Sequence, residues 1–411
     1  MGDWKEIKLG ELVDYKKGFA FKSQLFGNIG DIVVRVSDTT NDSIDINSCP
    51  RIDELKAKEF DNYRIKYNDI IISTVGSWPE NPNSIVGKVI RVPKEAHNAL
   101  LNQNTVRLRA RISEYQQFLY YRLRCFDFSD YLISGAQGSA NQASITLNDI
   151  FNFIINLPAL NENKVITNIL RRLDDKIDLL QHQNKTLETI AETMFKQWFI
   201  KETEPSNEFI NLGAVGNIKH GYAFKGEHIV TEETSNILLT PGNFKIGGGF
   251  KAGKFKYFNS DDFPSEYLLE EGELIITMTD LSQEGDTLGY PAFVQSISNK
   301  KLLHNQRIGK FIFKQDETIW KFFIYFLLTT DEYRNYILGT ATGTAVRHTS
   351  PGRISEYEFM KPTNEILIRF NQVVIPLFDK IKSNIFQIRA LTKLRDTLLP
   401  MLMSGEVRVT S

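Results

Sequence analysis

Two short segments of this chain place basic residues, a glycine and aromatic residues in the same order. Residues 16–22 read KKGFAFK, and residues 219–225 read KHGYAFK. Basic side chains on such a turn can bind phosphate oxygens, which positions a protein on nucleic acid. A glycine turn whose aromatic rings only pack a core is an alternative that stays open. The candidates for phosphate contact are Lys16, Lys17, Lys22, Lys219, His220, Tyr222 and Lys225.

A second pair of segments shares a glycine frame but differs in its polar content. Residues 138–142 read GSANQ, and residues 343–348 read GTAVRH. Arginine can pair with guanine O6 and N7, and Asn or Gln can pair with adenine, each worth about 1–3 kcal/mol of discrimination between bases. A plain surface loop is the alternative. The candidates for reading base edges are Ser139, Asn141, Gln142, Thr344, Arg347 and His348.

Other polar residues on predicted loops are weaker candidates for base or phosphate contact. They are Arg35, Ser37 and Trp78 in the first half and Asn243, Asp280 and Ser282 in the second half. By contrast, Asn102–Gln103 and Asn305–Gln306 are identical dipeptides and cannot account for different specificities. We expect these two dipeptides to hold the backbone by hydrogen bonds.

All of these pairs belong to a duplication of the whole chain. Residues 7–22 return as residues 210–225, and later matches keep the same order at a period of about 204 residues. A period of this length indicates a tandem domain duplication and excludes a short-repeat solenoid.

Each half begins with a head and ends with a helical pattern. The heads consist of short β-rich runs separated by Gly, Pro, Asn and Asp clusters, with one helix predicted over residues 114–124 and 318–328. The sequence therefore predicts the α+β class. The expected boundaries are 1–160 for the first head, 161–200 for a central helix, 201–208 for a linker, 209–362 for the second head and 363–405 for a C-terminal helix.

The two helical patterns have apolar residues at alternating spacings of four and three, as in a coiled coil. Asn184 and Asn384 interrupt the apolar stripes at positions that are not equivalent in the repeat. In an antiparallel pairing the two amides would lie opposite each other. We expect them to form a hydrogen bond that fixes the register, and the alternative is that both face solvent.

Composition limits the possible functions. The chain has 411 residues, 42% of them hydrophobic, and a formal net charge of -1, so any binding of nucleic acid must come from a local concentration of charge. Two cysteines, both in the first half, do not suggest a framework disulfide. No signal sequence or membrane-spanning run is recognisable, which favours the cytoplasm. We find no nucleotide-binding loop, no metal-ligand spacing and no methyltransferase motif, so neither a cofactor nor a catalytic residue is predicted.

Three segments carry a resemblance to a known family. Residues 4–12 (WKEIKLGEL), 194–199 (MFKQWF) and 398–406 (LLPMLMSGE) resemble recurring segments of the specificity subunits of Type I restriction-modification enzymes. The resemblance covers essentially the whole chain. It implies two target-recognition domains joined by two helices in an antiparallel coiled coil with a pseudo-twofold repeat.

The functional implications of the resemblance are equally specific. Each head would read one half of a bipartite, asymmetric site on double-stranded DNA. The helices would set the spacing and dock two methyltransferase subunits, with restriction subunits as further partners. Two rivals remain: a self-contained enzyme such as a nuclease, and a coiled-coil scaffold whose heads bind protein. The scaffold would bind DNA poorly at low salt, where a phosphate-contacting protein binds best.

Overall fold

The computed structural model describes residues 4–40, 42–78, 85–139, 142–201, 208–280, 282, 284–344 and 346–409. The chain divides into two compact units. The first unit is Met1–Gln181 with Ile385–Ser411, and the second is His182–Asn384. Both contain strands and helices, as the predicted α+β class requires. All but the two end residues of the predicted linker, 201–208, lie outside the described residues.

The first unit is built on a four-stranded antiparallel sheet. Its strands are, in spatial order, Val13–Lys17, Thr105–Ala110, Ile70–Ser73 and Val89–Arg91. Ile70 and Ile72 point into the larger core of the unit, whereas Ile71 points into a smaller core on the other face. Successive side chains of a strand alternate between faces, so a sheet covered on both sides reads as a continuous apolar run.

Helices and small sheets cover this central sheet. Helices Gln116–Leu123 and Phe126–Gly135 pack on the larger core. The predicted helix over residues 114–124 is confirmed, but the second helix was not foreseen. Its exposed Phe126 and its Ser and Gly residues weaken the helical pattern. Lys5–Lys8 pairs with Ile154–Leu157, and Asp31–Val34 pairs with both Arg51–Ile52 and Leu100–Leu101. A further three-stranded sheet consists of Gln137–Ser139, Gln142–Ser144 and Val75–Gly76.

The second unit has a central sheet with the same strand order. Its strands are Gly216–His220, Ile308–Phe313, Leu274–Thr277 and Pro291–Phe293. Helices Glu317–Leu327 and Asp331–Thr340 cover one face. Phe209–Asn211 pairs with Glu358–Met360. The unit also contains a five-stranded sheet, with strands Ile229–Val230, Lys256–Phe258, Asn236–Leu239, Lys301–His304 and Leu268–Leu269.

Two long helices contribute residues to both units. The central helix, Leu160–Lys196, has 37 residues and continues into a wide turn at Gln197–Lys201. The C-terminal helix, Asn364–Ser404, has 41 residues. In the first unit, Ile166 and Leu170 share a core with Leu402 and Met403. The apolar stripes therefore supply core residues, as amphipathic helices do.

The predicted amide pair lies inside the second unit. Asn384 Nδ2 donates hydrogen bonds to Asn184 Oδ1 and to Gln183 Oε1, each at 2.8 Å. The hydrogen bond predicted between Asn184 and Asn384 is thus confirmed. Asn384 is fully buried, and its Oδ1 has no hydrogen-bond partner among the described residues. A buried amide that is only partly satisfied lowers stability.

Replacing Asn184 and Asn384 together by leucine is expected to raise the melting temperature of the protein. The substitution removes the unpaired amide oxygen and adds apolar contact, at the cost of a less strictly defined register. Thermal unfolding of the wild type, the double variant and N384L alone gives the comparison. A double variant that melts no higher than the wild type would contradict the expectation.

A carboxylate anchors the end of the chain within the first unit. Glu162 accepts bonds from Arg408 Nε at 2.6 Å, from Arg408 Nη2 at 2.9 Å and from Trp4 Nε1 at 3.0 Å. Burial alone would raise the pKa of Glu162, but the bonds from Arg408 and Trp4 outweigh it and hold that pKa below its usual range. The ionised form of Glu162 therefore stabilises the fold.

The first unit should accordingly lose stability in acid. Because the pKa of Glu162 is lower in the folded state, the unfolded chain binds this proton first. The stabilisation is complete above the unfolded pKa of about 4.3 and is lost as the pH falls through the folded value. E162Q should melt lower at pH 7 and show a smaller further drop between pH 6 and pH 3. The exposed Glu6 supplies the control, E6Q, and equal acid slopes for E162Q and wild type would contradict the assignment.

Both cysteines of the chain, Cys49 and Cys125, are free and buried. Burial is the main cause that raises the thiol pKa, to about 12 for Cys49 and to about 11 for Cys125. Such thiols stay protonated and unreactive at neutral pH. Within the described ranges, no helix has both the length and the apolar content that crossing a membrane requires.

Candidate nucleic-acid interface

The glycine turn of the first unit packs against a second turn at residues 102–105. A Cβ atom placed on Gly18 would lie 1.8 Å from the carbonyl oxygen of Asn102. Gly18 N donates to Thr105 O at 3.0 Å, and Gln103 N donates to Phe19 O at 2.8 Å. Glycine is needed at position 18 because two backbone segments approach closely there, and any side chain would separate them.

The aromatic rings of this turn pack inward and its lysines differ in exposure. Phe19 and Phe21 pack on Phe60, with ring centroids 4.9 and 5.0 Å apart. Lys16 is half-buried, with its Nζ 4.6 Å from the centroid of the Tyr63 ring, a cation–π contact. For the aromatic rings, the alternative of a glycine turn that packs a core therefore holds. The other two lysines of this turn, Lys17 and Lys22, are exposed and stay candidates for phosphate contact.

The second unit repeats this construction. A Cβ atom on Gly221 would lie 2.0 Å from the carbonyl oxygen of Asn305. Tyr222 packs on Tyr267 at 5.2 Å between ring centroids, and Lys219 Nζ lies 4.6 Å from the same Tyr267 ring. Lys219 also pairs with Glu266 at 2.7 Å, which neutralises its charge. The exposed basic side chains of this turn are Lys225 and His220.

The candidates for base reading lie on a hairpin in the first unit. Strand Gln137–Ser139 pairs with Gln142–Ser144, which in turn pairs with Val75–Gly76. Trp78 follows Val75–Gly76 by two residues, so the fold brings it beside the hairpin that carries the exposed Gln142. Asn141 lies outside the described residues, as does the side chain of Ser139.

The corresponding strands of the second unit carry different side chains. Arg347–His348 pairs with Thr279–Asp280, and Thr279 Oγ1 lies 3.1 Å from His348 Nδ1. Ser282 N donates to Asp280 Oδ1 at 2.6 Å. His348 is exposed, and Ser282 and Arg347 are half-exposed. The exposed Thr344 precedes this strand by three residues.

Asp280 itself holds this loop together. Burial would raise the pKa of Asp280, but hydrogen bonds from Thr287 and Ser282 outweigh burial and keep that pKa below its ordinary range. The carboxylate is buried and its oxygens are engaged by the backbone. Asp280 is therefore a support for the loop and offers no exposed oxygen to a base.

In the first unit, backbone hydrogen bonds align the glycine turn, the 102–105 turn and the hairpin at one end of the central sheet. Gln103 N donates to Phe19 O, Thr74 N donates to Asn104 O at 2.8 Å, and Ile145 N donates to Thr74 O at 2.9 Å. The glycine turn, the 102–105 turn and the hairpin thus lie side by side. We call the exposed residues of these three segments the sheet-end surface.

The second unit has a sheet-end surface that equivalent backbone hydrogen bonds hold together. Gln306 N donates to Tyr222 O at 2.9 Å, Met278 N donates to Arg307 O at 2.9 Å, and Thr349 N donates to Met278 O at 3.0 Å. Trp78 and Ser282 are far in sequence from the stronger candidates for base contact. The structure brings each of them to the hairpin or strand that carries the stronger ones.

The middle turn adds exposed residues that sequence reasoning missed. Asn102 Oδ1 accepts from Gln103 N at 2.7 Å, and Asn305 Oδ1 accepts from Arg307 N at 2.9 Å, which confirms the predicted backbone role of the Asn-Gln dipeptides. The residues that follow these asparagines point outward. The exposed side chains are Gln103, Asn104, Gln306 and Arg307. The recurrence of the Asn-Gln dipeptide in both halves was the sequence signal that could have pointed to these residues.

Three of the weaker candidates, Arg35, Ser37 and Asn243, form intramolecular hydrogen bonds. Arg35 binds Asp38 through Nε at 2.9 Å and Nη2 at 2.7 Å, and beside it the exposed Ser37 donates to Asp38 Oδ1 at 3.2 Å. Asn243 is 1% exposed; it accepts from Thr240 N at 3.0 Å and donates to Gly253 O at 3.2 Å. The interpretation of Asn243 as a base reader is therefore replaced by a structural role, because its amide is buried.

The sheet-end surfaces offer donors, acceptors and cations. Over the part of the chain that the structure describes, no group of three or more His, Cys, Asp or Glu side chains is placed to hold a metal ion. The surfaces of both units therefore suit binding to a polyanion with exposed polar edges.

Comparison with known proteins identifies a family. The sequence model described as "Type I restriction modification DNA specificity domain" matches residues 1–189. The specificity subunit of Type I restriction enzyme HindI from Haemophilus influenzae is 24% identical, over 99% of this chain and all of its own length. The MjaIX specificity subunit from Methanocaldococcus jannaschii is 30% identical over 314 residues, which are 71% of this chain and 69% of its own.

A solved structure shares the fold. The crystal structure of a Type I restriction-modification S subunit from M. genitalium superimposes with a TM-score of 0.56 at 18% identity. The superposition covers 99% of this chain and 97% of that one. With the sequence relatives above, in particular the one that is 30% identical, the chain belongs to the family of Type I restriction enzyme specificity subunits.

Proposed function

We propose that this chain is the non-catalytic DNA-reading subunit of a Type I restriction-modification complex, and that each sheet-end surface reads one half of a bipartite, asymmetric site. The observation that carries the proposal is that the two sheet-end surfaces share their backbone arrangement but differ in their side chains. Trp78 and Gln142 in the first unit correspond to Ser282 and Arg347 in the second. A common frame favours a common docking mode, and different side chains favour different bases.

Exposed basic side chains at each sheet-end surface would contact phosphate. Lys17 and Lys22 border the surface of the first unit, and His220 and Lys225 border that of the second. Phosphate contacts set position and carry no sequence information, whereas the hairpin side chains carry the discrimination. The formal net charge of -1 makes such a local arrangement necessary.

The long helices would separate the two readers. The proposed domains are 1–160, 161–200, 201–208, 209–362 and 363–405, with the helices in an antiparallel coiled coil related by a pseudo-twofold repeat. Within the second unit, Asn184 meets Asn384, while Phe199, further along the central helix, meets Phe370, which lies earlier on the C-terminal helix. Opposite chain directions explain both contacts. At about 1.5 Å per residue each helix extends roughly 55–60 Å, which is more than one turn of the duplex.

The partners follow from the family. We propose that two methyltransferase subunits and restriction subunits assemble with this chain in the cytoplasm and supply all catalysis. The relatives from Haemophilus influenzae and Methanocaldococcus jannaschii are specificity subunits of Type I restriction enzymes, which supports this assignment.

Methylation mapping tests the proposal. The chain is expressed with its neighbouring methyltransferase subunit in a host free of adenine methylation, and the modified adenines are sequenced across the genome. A bipartite, asymmetric motif that vanishes when this chain is omitted is the expected result. Co-purification of the two proteins without any motif would favour the protein-binding scaffold instead.

A further inference from the structure

The first unit contains a buried ion pair between its two helical segments. Arg395 Nη1 lies 3.0 Å from Asp174 Oδ1, and Tyr121 donates its hydroxyl to Asp174 Oδ2 at 2.7 Å. The side chain of Asp174 is 8% exposed and that of Arg395 is 14% exposed. Arg395 also binds its neighbour Asp396 at 2.9 Å. A buried charge of this kind depends strongly on its partner.

A second acidic residue on the same helix forms an ion pair with a second arginine. Glu162 lies twelve residues before Asp174 and is held by the bidentate Arg408 and by Trp4. Gly405 packs against the Trp4 ring, which seats the segment that carries Arg408. Residues 385–409 are thus held in the first unit by two ion pairs, one with Asp174 and one with Glu162.

The second unit has apolar residues at the corresponding positions. At the repeat period, Asp174 corresponds to Phe378, Glu162 to Ile366 and Arg395 to Ala191. Phe378 packs on Tyr325 and Phe293, at 5.8 and 5.7 Å between ring centroids, and Ala191 is fully buried in the same core. Arg408 corresponds in the sequence to Glu204, which lies outside the described residues.

We infer that these residues form a pairing code that assigns each terminal helical segment to its own unit. The first unit accepts residues 385–409 of this chain because Asp174 and Glu162 require Arg395 and Arg408. It rejects the related segment that begins at residue 182, since that segment has Ala191 at the position of Arg395. The duplicated chain therefore folds with one pairing of its similar halves.

Desolvation gives the code its discrimination in both directions. Ala191 in place of Arg395 would leave the Asp174 carboxylate buried with only the Tyr121 hydroxyl. Conversely, Arg395 in the second unit would be placed against the aromatic cluster of Phe378, which stands where the first unit has the Asp174 carboxylate. Mispairing is thus unfavourable for either unit, as charged and polar residues specify partners in coiled coils.

Two double-mutant cycles on the full-length chain test the code. In the first unit the variants are R395A, D174F and both together, which copies the pair found in the second unit. R395A should speed hydrogen exchange of residues 385–409 at least about tenfold, and adding D174F should reverse most of that change. K393A, at an exposed lysine of the same helix, is the matched control and should leave exchange unchanged.

The second cycle transplants the ion pair into the second unit. A191R alone should speed exchange of residues 182–201, and A191R with F378D should exchange more slowly than A191R. Strictly additive effects in both cycles, or an R395A variant that exchanges like K393A, would overturn the inference. If R395A does not fold, R395K replaces it in the first cycle. Lysine keeps the positive charge but cannot bind Asp174 and Asp396 at the same time, as the guanidinium does. None of these readouts involves DNA, so they are independent of the proposed function.

Discussion

Replacing Gly18 by alanine is expected to destabilise the first unit severely, by about 3 kcal/mol or more, because the new methyl group overlaps backbone. The Cβ atom would lie 1.8 Å from Asn102 O and 2.5 Å from Asn102 C, and neither atom belongs to a side chain that can turn away. The 102–105 turn would have to separate from strand Val13–Lys17. The melting temperature should fall by about 10 °C, measured by scanning calorimetry.

The chain offers matched controls for this prediction. Gly27 lies in the same unit with nothing within 4 Å of its hypothetical Cβ atom, so G27A should melt close to the wild type. In the second unit, G221A, whose Cβ atom would lie 2.0 Å from Asn305 O, should behave like G18A, and G226A should behave like G27A. G18A and G27A variants with equal melting temperatures would show that the two turns are not in close contact.

The loss should extend to DNA reading if the sheet-end surface is the interface. Separation of the 102–105 turn would disturb the alignment that runs from Phe19 through Asn104 and Thr74 to Ile145. With G18A the methylated motif should become degenerate in one half-site, while the other half-site stays defined. The two units would then be separable in function by a single methyl group.

Replacing Arg347 by alanine is expected to relax recognition at one base pair of one half-site. Loss of a bidentate contact with guanine is worth about 1–3 kcal/mol, which corresponds to roughly 5- to 150-fold lower preference for the cognate base. Arg347 lies on a short strand whose backbone pairs with Thr279–Asp280, and the substitution leaves this backbone pairing available. The methylated motif should therefore change at one position, and the melting temperature should stay close to that of the wild type.

A lysine variant separates reading from positioning. Lys225 is exposed beside the same surface, and K225A should weaken binding to all sequences alike and lower the salt dependence of binding by about one unit of slope. R347A should leave that slope nearly unchanged and alter the motif. A motif that is identical for R347A and wild type would remove Arg347 from the reading surface.

Local patterns carried much of the architecture. The recurrence of residues 7–22 as 210–225 indicates two related units, and the central sheets have the same strand order. The apolar spacing of four and three predicts the long helices, and it located Asn184 and Asn384, whose hydrogen bond is present. Such features depend on residues near each other in the chain or on exact recurrence, so they are visible without any knowledge of packing.

Other elements lacked a local signal. The helix Phe126–Gly135 has an exposed Phe126 and only two fully buried apolar side chains, Phe128 and Leu132, too few to define a periodicity. Asn243 has the polar character of a base reader, yet it is buried because its amide satisfies loop carbonyls. Burial of a polar residue depends on partners that the surrounding loop supplies, which the residue type does not reveal.

By itself, then, the sequence determined the duplication, the α+β heads, the long helices and the family. Only the tertiary structure decided which polar residues share a surface. Trp78 and Gln142 are 64 positions apart, and the pairing of Val75–Gly76 with Ala143–Ser144 brings their segments together. Asp174 meets Arg395 from 221 positions away. Secondary structure follows from short-range periodicity, whereas these meetings follow from the register of strands and from the desolvation of charges between helices, which no local window contains.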